Sequence, residues 1–109
     1  MQTLVPVGTF EERARELLSE GEFDGMLDLL ARRPKAGRVI QGTGGLRKVR
    51  IARKGRGKSA GTRVIYYYHN EDKPILLVQI YAKADQENLT AKQKKVLKKL
   101  VDEIIDHFG

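Results

Sequence analysis

The chain of 109 residues contains no cysteine and no tryptophan, and it has only two histidines, His69 and His107. The lack of cysteine excludes disulfides, catalysis by a thiolate and zinc sites with cysteine ligands. The two histidines are far apart in the sequence, so no metal-ligand spacing is present, and we expect neither a metal nor another cofactor. The apolar runs are much shorter than a membrane span, and no membrane segment is predicted.

The first eight residues lack a basic start followed by a long apolar run, so we predict no signal peptide. The expected localisation is therefore cytoplasmic. A length of 109 residues is typical of one domain with one core, and we expect residues 1–109 to form a single domain.

Acidic residues are absent from residues 47–63, and this window concentrates the positive charge of the chain. The whole chain has 21 basic and 14 acidic residues and a formal net charge of +7, yet outside the window 13 basic residues face 14 acidic ones. The basic residues of the window are Arg47, Lys48, Arg50, Arg53, Lys54, Arg56, Lys58 and Arg63. Such close like charges repel one another unless a polyanion binds them, which favours a nucleic-acid backbone as partner over a merely solvated hairpin.

Hydrophobic periodicity predicts three helices, starting near residues 10, 20 and 91. A pair of residues at capping-box spacing precedes or opens each of them, namely Thr9 with Glu12, Ser19 with Glu22 and Thr90 with Gln93. The second helix should end near Arg33, before Pro34. The apolar face predicted for the last helix consists of Val96, Leu97, Leu100, Val101, Ile104, Ile105 and Phe108.

The remaining segments have the period of strands. A short strand around Pro6 is expected at a sheet edge, because proline cannot donate to a ladder. Val49 and Ile51 alternate with Lys48 and Arg50, so this strand should have one apolar and one cationic face. Strands over residues 62–69 and 75–81 follow. The predicted fold is α+β: a small, mostly antiparallel sheet with two N-terminal helices and one C-terminal helix, in the order β-α-α-β-β-β-α.

Three segments together resemble a known family. They are Gln41-Gly42-Thr43-Gly44-Gly45-Leu46-Arg47-Lys48, Gly61-Thr62-Arg63-Val64-Ile65-Tyr66-Tyr67 and Ile80-Tyr81-Ala82-Lys83. The set resembles the RelE/ParE superfamily of bacterial type II toxin–antitoxin toxins, and most of all its HigB-type branch. This resemblance implies a RelE-like fold and a cognate antitoxin protein as partner, with operator DNA contacted only through that antitoxin.

The resemblance also implies an activity. RelE-like and HigB-like toxins are mRNA endonucleases that act on translated message, which makes the ribosome and mRNA the expected partners. ParE-like toxins share the fold but poison DNA gyrase, so a non-catalytic gyrase inhibitor is an alternative, as is a ribosome- or RNA-binding module. The cationic strand face favours the mRNA interferase, because a gyrase inhibitor needs no site for phosphate.

Cleavage of RNA without a metal requires the ribose 2′-OH to attack the adjacent phosphate, and cations to stabilise the phosphorane. Arg63 matches the strand arginine that contacts the scissile phosphate in the family, and its planar guanidinium suits phosphate oxygens. Lys48 and Arg50 match the basic pair on the preceding strand, and Lys83 matches a recurrent basic position after the last strand. Lys48 acts either as a general base, favoured by the surrounding cations, or as a phosphate contact without chemistry.

Aromatic side chains supply further candidates. Tyr67 shares the strand face of Arg63, where its hydroxyl could transfer a proton or its ring could stack on a base, so it is a catalytic candidate. His69 and Tyr81 are candidate RNA-binding residues. Tyr66 and Tyr68, on the other face, are predicted to lie in the core.

The glycine-rich stretch after the first cationic strand is predicted to be an electrostatic arm that binds ribosomal RNA. Its basic residues Arg53, Lys54, Arg56 and Lys58, together with Arg47, complete the set of predicted RNA-binding residues. We expect them to contribute affinity and its salt dependence rather than catalysis.

Overall fold

The computed structural model describes residues 2–51, 61–86 and 88–108. Within them the elements are β1 (Leu4–Pro6), α1 (Phe10–Leu17), α2 (Glu20–Arg32), β2 (Arg38–Val39), β3 (Leu46–Ile51), β4 (Thr62–Tyr67), β5 (Ile75–Ala82) and α3 (Ala91–Phe108). Every predicted helix and strand is present. The two-residue strand β2 was not predicted, because so short a segment shows no alternation.

The described strands form one sheet in the order β1-β5-β4-β3-β2. β1 pairs in parallel with β5, and all other neighbours are antiparallel, which confirms a mostly antiparallel α+β fold. Pro6 lies in the edge strand β1, as its missing N–H predicts. The apolar strand β5 lies inside the sheet, between β1 and β4.

Two of the three predicted capping boxes are confirmed. The hydroxyl of Ser19 accepts from the backbone N–H of Glu22, and the Glu22 carboxylate accepts from the N–H of Ser19. Thr90 and Gln93 make the same reciprocal pair at 3.1 and 2.9 Å. The box at Thr9 was predicted wrongly, because Thr9 has a ψ of 12° instead of the extended backbone of an N-cap, and its side chain makes no capping hydrogen bond.

Both faces of the sheet are covered, by different helices. On the first, which we call the α1–α2 face, Val64, Tyr66 and Leu77 pack in one core with Phe10 and Met26. On the second, the α3 face, a separate core is formed by Leu46, Ile65 and Tyr67 with Leu97 and Val101. Alternation along β3 therefore sends Val49 and Ile51 to the α1–α2 face, and Leu46, Lys48 and Arg50 to the α3 face.

Helix α3 contacts the sheet along a narrower stripe than its apolar residues predicted. Leu97 and Val101 are buried, and Ile104 and Phe108 pack against them. Val96 and Ile105 were also placed on the buried face, but they are 63% and 39% exposed. They flank the contact stripe instead of lying in it, because the apolar arc of α3 is wider than the line along which a helix touches a sheet. Among the described residues, no helix is long and apolar enough to cross a membrane.

Candidate nucleic-acid interface

Three predicted site residues come together on the α3 face. Arg50 pairs directly with Arg63 across β3 and β4, and Lys48 precedes Arg50 by two residues. Direct antiparallel partners point to the same side of a sheet, as do residues two apart on a strand. The three side chains line one cavity of about 460 Å³, together with Ala36, Arg38 and Val49. We call Arg38, Lys48, Arg50 and Arg63 the cationic cluster.

Gly61 lets two of these side chains approach each other. A Cβ atom added to Gly61 would lie 3.3 Å from Cγ and Cδ of Arg50 and 3.3 Å from Nη1 of Arg63. Both arginine side chains therefore pass against the bare backbone of Gly61, and a larger residue there would push them away. Arg50 and Arg63 thus bring two positive charges to the same part of the α3 face, and an anion bound there would be attracted by both.

Two hydrogen-bond donors at this point lack an acceptor among the described residues. Nη1 of Arg63 and the hydroxyl of Tyr81 are both buried without a hydrogen-bond partner, and Arg63 and Tyr81 are direct partners on β4 and β5. Burial raises the pKa of Tyr81, against the opposing effect of the Arg63 charge, so the hydroxyl keeps its proton at neutral pH. Buried donors without acceptors are rare in native proteins, and these two belong to residues that pair directly across the sheet.

The segment between β5 and α3 borders the cluster. Nζ of Lys48 donates to the side-chain oxygen of Asn88 at 3.2 Å. The backbone N–H of Lys83 donates to the carbonyl of Gly61 at 3.0 Å, which fixes Lys83 beside the start of β4. No group of three or more acidic, histidine or cysteine side chains among the described residues is placed to bind a metal ion. The charged side chains that line the cavity are all hydrogen-bond donors, which suits an anion.

A family model described as the RelE toxin of the RelE/RelB toxin–antitoxin system matches residues 31–107. The match includes the whole cationic cluster, the strands that carry it, and nearly all of α3. The chain belongs to the RelE toxin family. The predicted resemblance is thus confirmed at the level of the family, and with it the role of a toxin that has an antitoxin as partner; the HigB-type branch stays a prediction.

The structure of this RelE-family toxin does not bring Tyr67 and His69 to the cationic cluster. Tyr67 does share the α3 face with Arg63, but it lies four residues further along β4, about 13 Å away. It is 5% exposed in the core beneath α3, and its hydroxyl hydrogen-bonds Nδ1 of His69 at 3.0 Å. The His69 ring in turn lies 5.4 Å from that of Phe108. Tyr67 and His69 therefore connect the C-terminal end of α3 to the sheet.

Arg47 also lies apart from the cluster. It alternates with Lys48 along β3 and so belongs to the α1–α2 face, where its Nη1 donates to the carbonyl of Gly37 at 2.8 Å. This bond makes Arg47 part of the framework of the toxin. The predicted RNA-binding residues Arg53, Lys54, Arg56 and Lys58 lie outside the described residues.

Arg38 is the member of the cluster that sequence reasoning missed. It lies in β2, directly opposite Lys48, and β2 has only two residues. A strand of that length shows no periodicity, and Arg38 lies before residues 47–63, where the basic residues are concentrated. Only the pairing of β2 with β3 reveals its place.

Proposed function

We propose that this RelE-family toxin is an mRNA interferase, a metal-independent endoribonuclease that cleaves message on the ribosome. The observation that carries the proposal is that Arg50 and Arg63 both pass against Gly61, while Nη1 of Arg63 and the Tyr81 hydroxyl are buried without an acceptor among the described residues. A phosphate group in the cavity would supply acceptor oxygens to the arginine side chains that line it.

The chemistry that suits these donors is an internal phosphoryl transfer. The ribose 2′-oxygen loses its proton and forms a bond to the adjacent phosphorus, and the bond from phosphorus to the 5′-oxygen breaks. The released 5′-oxygen takes up a proton from solvent, so the products are a 2′,3′-cyclic phosphate and a 5′-hydroxyl. Arg63 and Arg50 stabilise the extra negative charge of the phosphorane. In this scheme Tyr81 donates a hydrogen bond to a phosphate oxygen, and Lys83 adds charge at the border. Lys48 has one of two roles: as a neutral amine it accepts the 2′ proton, or as a cation it binds phosphate without taking part in the chemistry.

Dependence on the ribosome follows from the same residues. Neither histidine lies in the cationic cluster, so the cluster lacks the side chain that most often transfers protons in catalysis. A substrate held with its 2′-OH in line with the leaving oxygen supplies much of the missing rate enhancement. The decoding site can hold message in that shape, whereas free RNA rarely adopts it.

The proposed partners are accordingly the ribosome and its message, in the cytoplasm. The antitoxin restrains the toxin, and operator DNA is contacted through the antitoxin alone.

The test is a cleavage assay with purified toxin on programmed ribosomes and on the same RNA without ribosomes. We expect cleavage within translated message on ribosomes, with cyclic phosphate ends, and little or none on naked RNA. Intact message together with DNA damage from poisoned gyrase would support the ParE-like alternative. Ribosome binding without cleavage would support an RNA-binding module, and rapid cleavage of naked RNA would contradict the mechanism.

A further inference from the structure

Arg38 extends the cationic cluster by one strand. Because Arg38 and Lys48 are direct partners, the α3 face carries two rows of donors across the sheet. One row consists of Arg38 and Lys48 on β2 and β3. The other consists of Arg50, Arg63 and Tyr81 on β3, β4 and β5. The rows are two residues apart along β3, about 7 Å, which is close to the separation of successive phosphates in an extended RNA strand.

A buried framework on the opposite face fixes the position of Arg38. The hydroxyl of the fully buried Tyr66 donates to the carbonyl of Pro34 at 2.7 Å and accepts from the N–H of Gly37 at 2.8 Å. The Arg47 guanidinium holds the Gly37 carbonyl from the same side. These bonds fix the turn that leads into β2, so the backbone of Arg38 is placed before any ligand arrives.

Close packing at Gly37 shows how tightly this turn is held. A Cβ atom added to Gly37 would lie 2.9 Å from the carbonyl oxygen of Lys48 and 2.9 Å from Cε1 of Tyr66. Such contacts are too short for any real side chain, and the obstacle on one side is backbone. Residue 37 must therefore be glycine for β2 to pair with β3 and bring Arg38 beside Lys48.

Among the described residues, Arg38 has no ion-pair partner that would give it a structural role. Its side chain lines the cavity and is exposed, and neither Arg38 nor Lys48 forms an ion pair with a described residue. A structural arginine would be expected to meet a carboxylate or a carbonyl, as Arg47 does. The Arg38 guanidinium, exposed and without a carboxylate partner in the described part of the chain, instead suits a ligand with several acceptor oxygens.

We propose that Arg38 and Lys48 form a second phosphate subsite, which holds the phosphate next to the one bound by Arg50 and Arg63. The proposal rests on the proposed function in taking RNA as the ligand. Two occupied subsites fix two points of the chain and so set the direction of the backbone across the face. Arg38 is accordingly a binding and positioning residue, and it makes its contribution before bonds are broken.

The direct test is binding of a short single-stranded RNA whose 2′-O-methyl groups prevent cleavage, measured by fluorescence anisotropy over a range of salt concentrations. Loss of a charged hydrogen bond in Arg38→Gln should weaken binding at least tenfold at low salt. It should also reduce the slope of log affinity against log salt by about 0.7, the value for one phosphate contact on a single strand. Arg38→Lys should keep most of the slope, because it keeps the charge.

Arg33→Gln is the matched control. Arg33 is exposed at the end of α2, away from the cavity, and its replacement removes the same charge from the whole protein. This control should bind RNA as the wild type does. Equal affinity and slope for Arg38→Gln and Arg33→Gln would overturn the proposal, as would the absence of measurable binding by the wild type at the lowest salt.

A neutral linkage in the RNA identifies which phosphate Arg38 contacts. Probes with one methylphosphonate should lose affinity for the wild type at two adjacent positions. At one of these, the loss should not add to that of Arg38→Gln, because both changes remove the same contact. Losses that add at every position would show that Arg38 binds no single phosphate.

Cleavage on ribosomes separates this proposal from the proposed function. If the wild type cleaves message, Arg38→Gln should raise KM about tenfold and change kcat little. A wild type that binds RNA through Arg38 but cleaves nothing would refute the nuclease and leave the subsite standing. Normal cleavage and normal KM in Arg38→Gln would refute the subsite and leave the nuclease standing.

Discussion

The α3 face of the sheet has one half that is apolar and buried and another that is cationic and open. On the α3 face, Leu46, Ile65 and Tyr67 lie under α3 and are almost completely buried. Lys48, Arg50 and Arg63, on the same two strands and the same side, line an open cavity. We call these sets the covered half and the open half. A step of two residues along β3, from Leu46 to Lys48, leads from one to the other.

The difference between the halves is set by where α3 lies. The same backbone ladder supports both, so the open half gains rigidity from strands whose other residues are packed on both faces. Charged side chains can be gathered there because the stability of the sheet comes from the covered half and from the α1–α2 face. Binding groups held on strands in this way are placed more accurately than groups on loops.

A change in the covered half should destabilise the fold without altering the chemistry. Leu46→Ala removes a completely buried side chain, and the resulting cavity should lower the free energy of unfolding by roughly 2–5 kcal/mol. Chemical denaturation measures this loss. The folded fraction should still cleave message at the normal rate, and a folded but inactive variant would show that the halves are not separable.

A change in the open half should have the reverse effect. Arg63→Ala should lower the cleavage rate about 10²–10³-fold, as expected for loss of a donor to the transition state. Its melting temperature should stay close to that of the wild type, because the side chain is partly exposed and lies outside both cores. Arg33→Ala serves as the control for loss of one charge. Full activity in a folded Arg63→Ala protein would remove Arg63 from the site.

Two tyrosines allow the sharpest comparison, since the same atom is removed from each. Tyr67→Phe loses the hydrogen bond to His69 and should cost about 0.5–1.5 kcal/mol of stability with normal cleavage. Tyr81→Phe removes a hydroxyl without a partner among the described residues, so stability should be unchanged or slightly higher. Its cleavage rate should fall about tenfold for the lost hydrogen bond. Loss of activity in Tyr67→Phe alone would restore Tyr67 as the catalytic candidate.

The smallest predicted effect is a loss of folding stability at alkaline pH. Burial raises the pKa of Tyr66, Tyr67 and Tyr81 in the folded toxin, whereas in the unfolded chain a tyrosine titrates near pH 10. The folded state therefore holds these protons more tightly, and the stability that this contributes is complete below about pH 10. This contribution to stability should be lost as the pH rises through the raised pKa values of the folded state. Denaturation curves below and above that pH measure the loss, which should be smaller in Tyr67→Phe.

Much of the fold could be predicted because local sequence patterns mark its helices and strands. Reciprocal pairs such as Ser19 with Glu22 mark helix starts, and Pro6 marks an edge strand. The Thr9 box failed because the same residue pair is compatible with a backbone that is not extended. The strand β2 was not predicted, because it is a strand only through its pairing with β3. Its own two residues carry no signal of that pairing.

The candidate site could be predicted in part. Alternation correctly put Lys48 and Arg50 on one face of their strand, and the same alternation assigns Arg47 to the other, but only the pairing of β3 with β4 shows that Arg63 shares the face of Lys48 and Arg50. Alternation could not separate Tyr67 from Arg63, since both satisfy the same period. Nor could it show that Tyr81 and Arg63 are direct neighbours, because the register of β4 with β5 includes a shift between Ile65 and Tyr66.

The sequence by itself determined the family, the order of the main elements and the concentration of positive charge, because each can be recognised along the chain without knowing which segments meet in space. Tertiary structure alone decided which charges meet and which side chains are covered. The path of α3 buries Tyr67 and leaves Arg63 open, and the turn held by Tyr66 and Arg47 carries Arg38 to Lys48. These contacts join residues distant in sequence. Periodicity tells which face a side chain takes, but it does not tell what lies over that face.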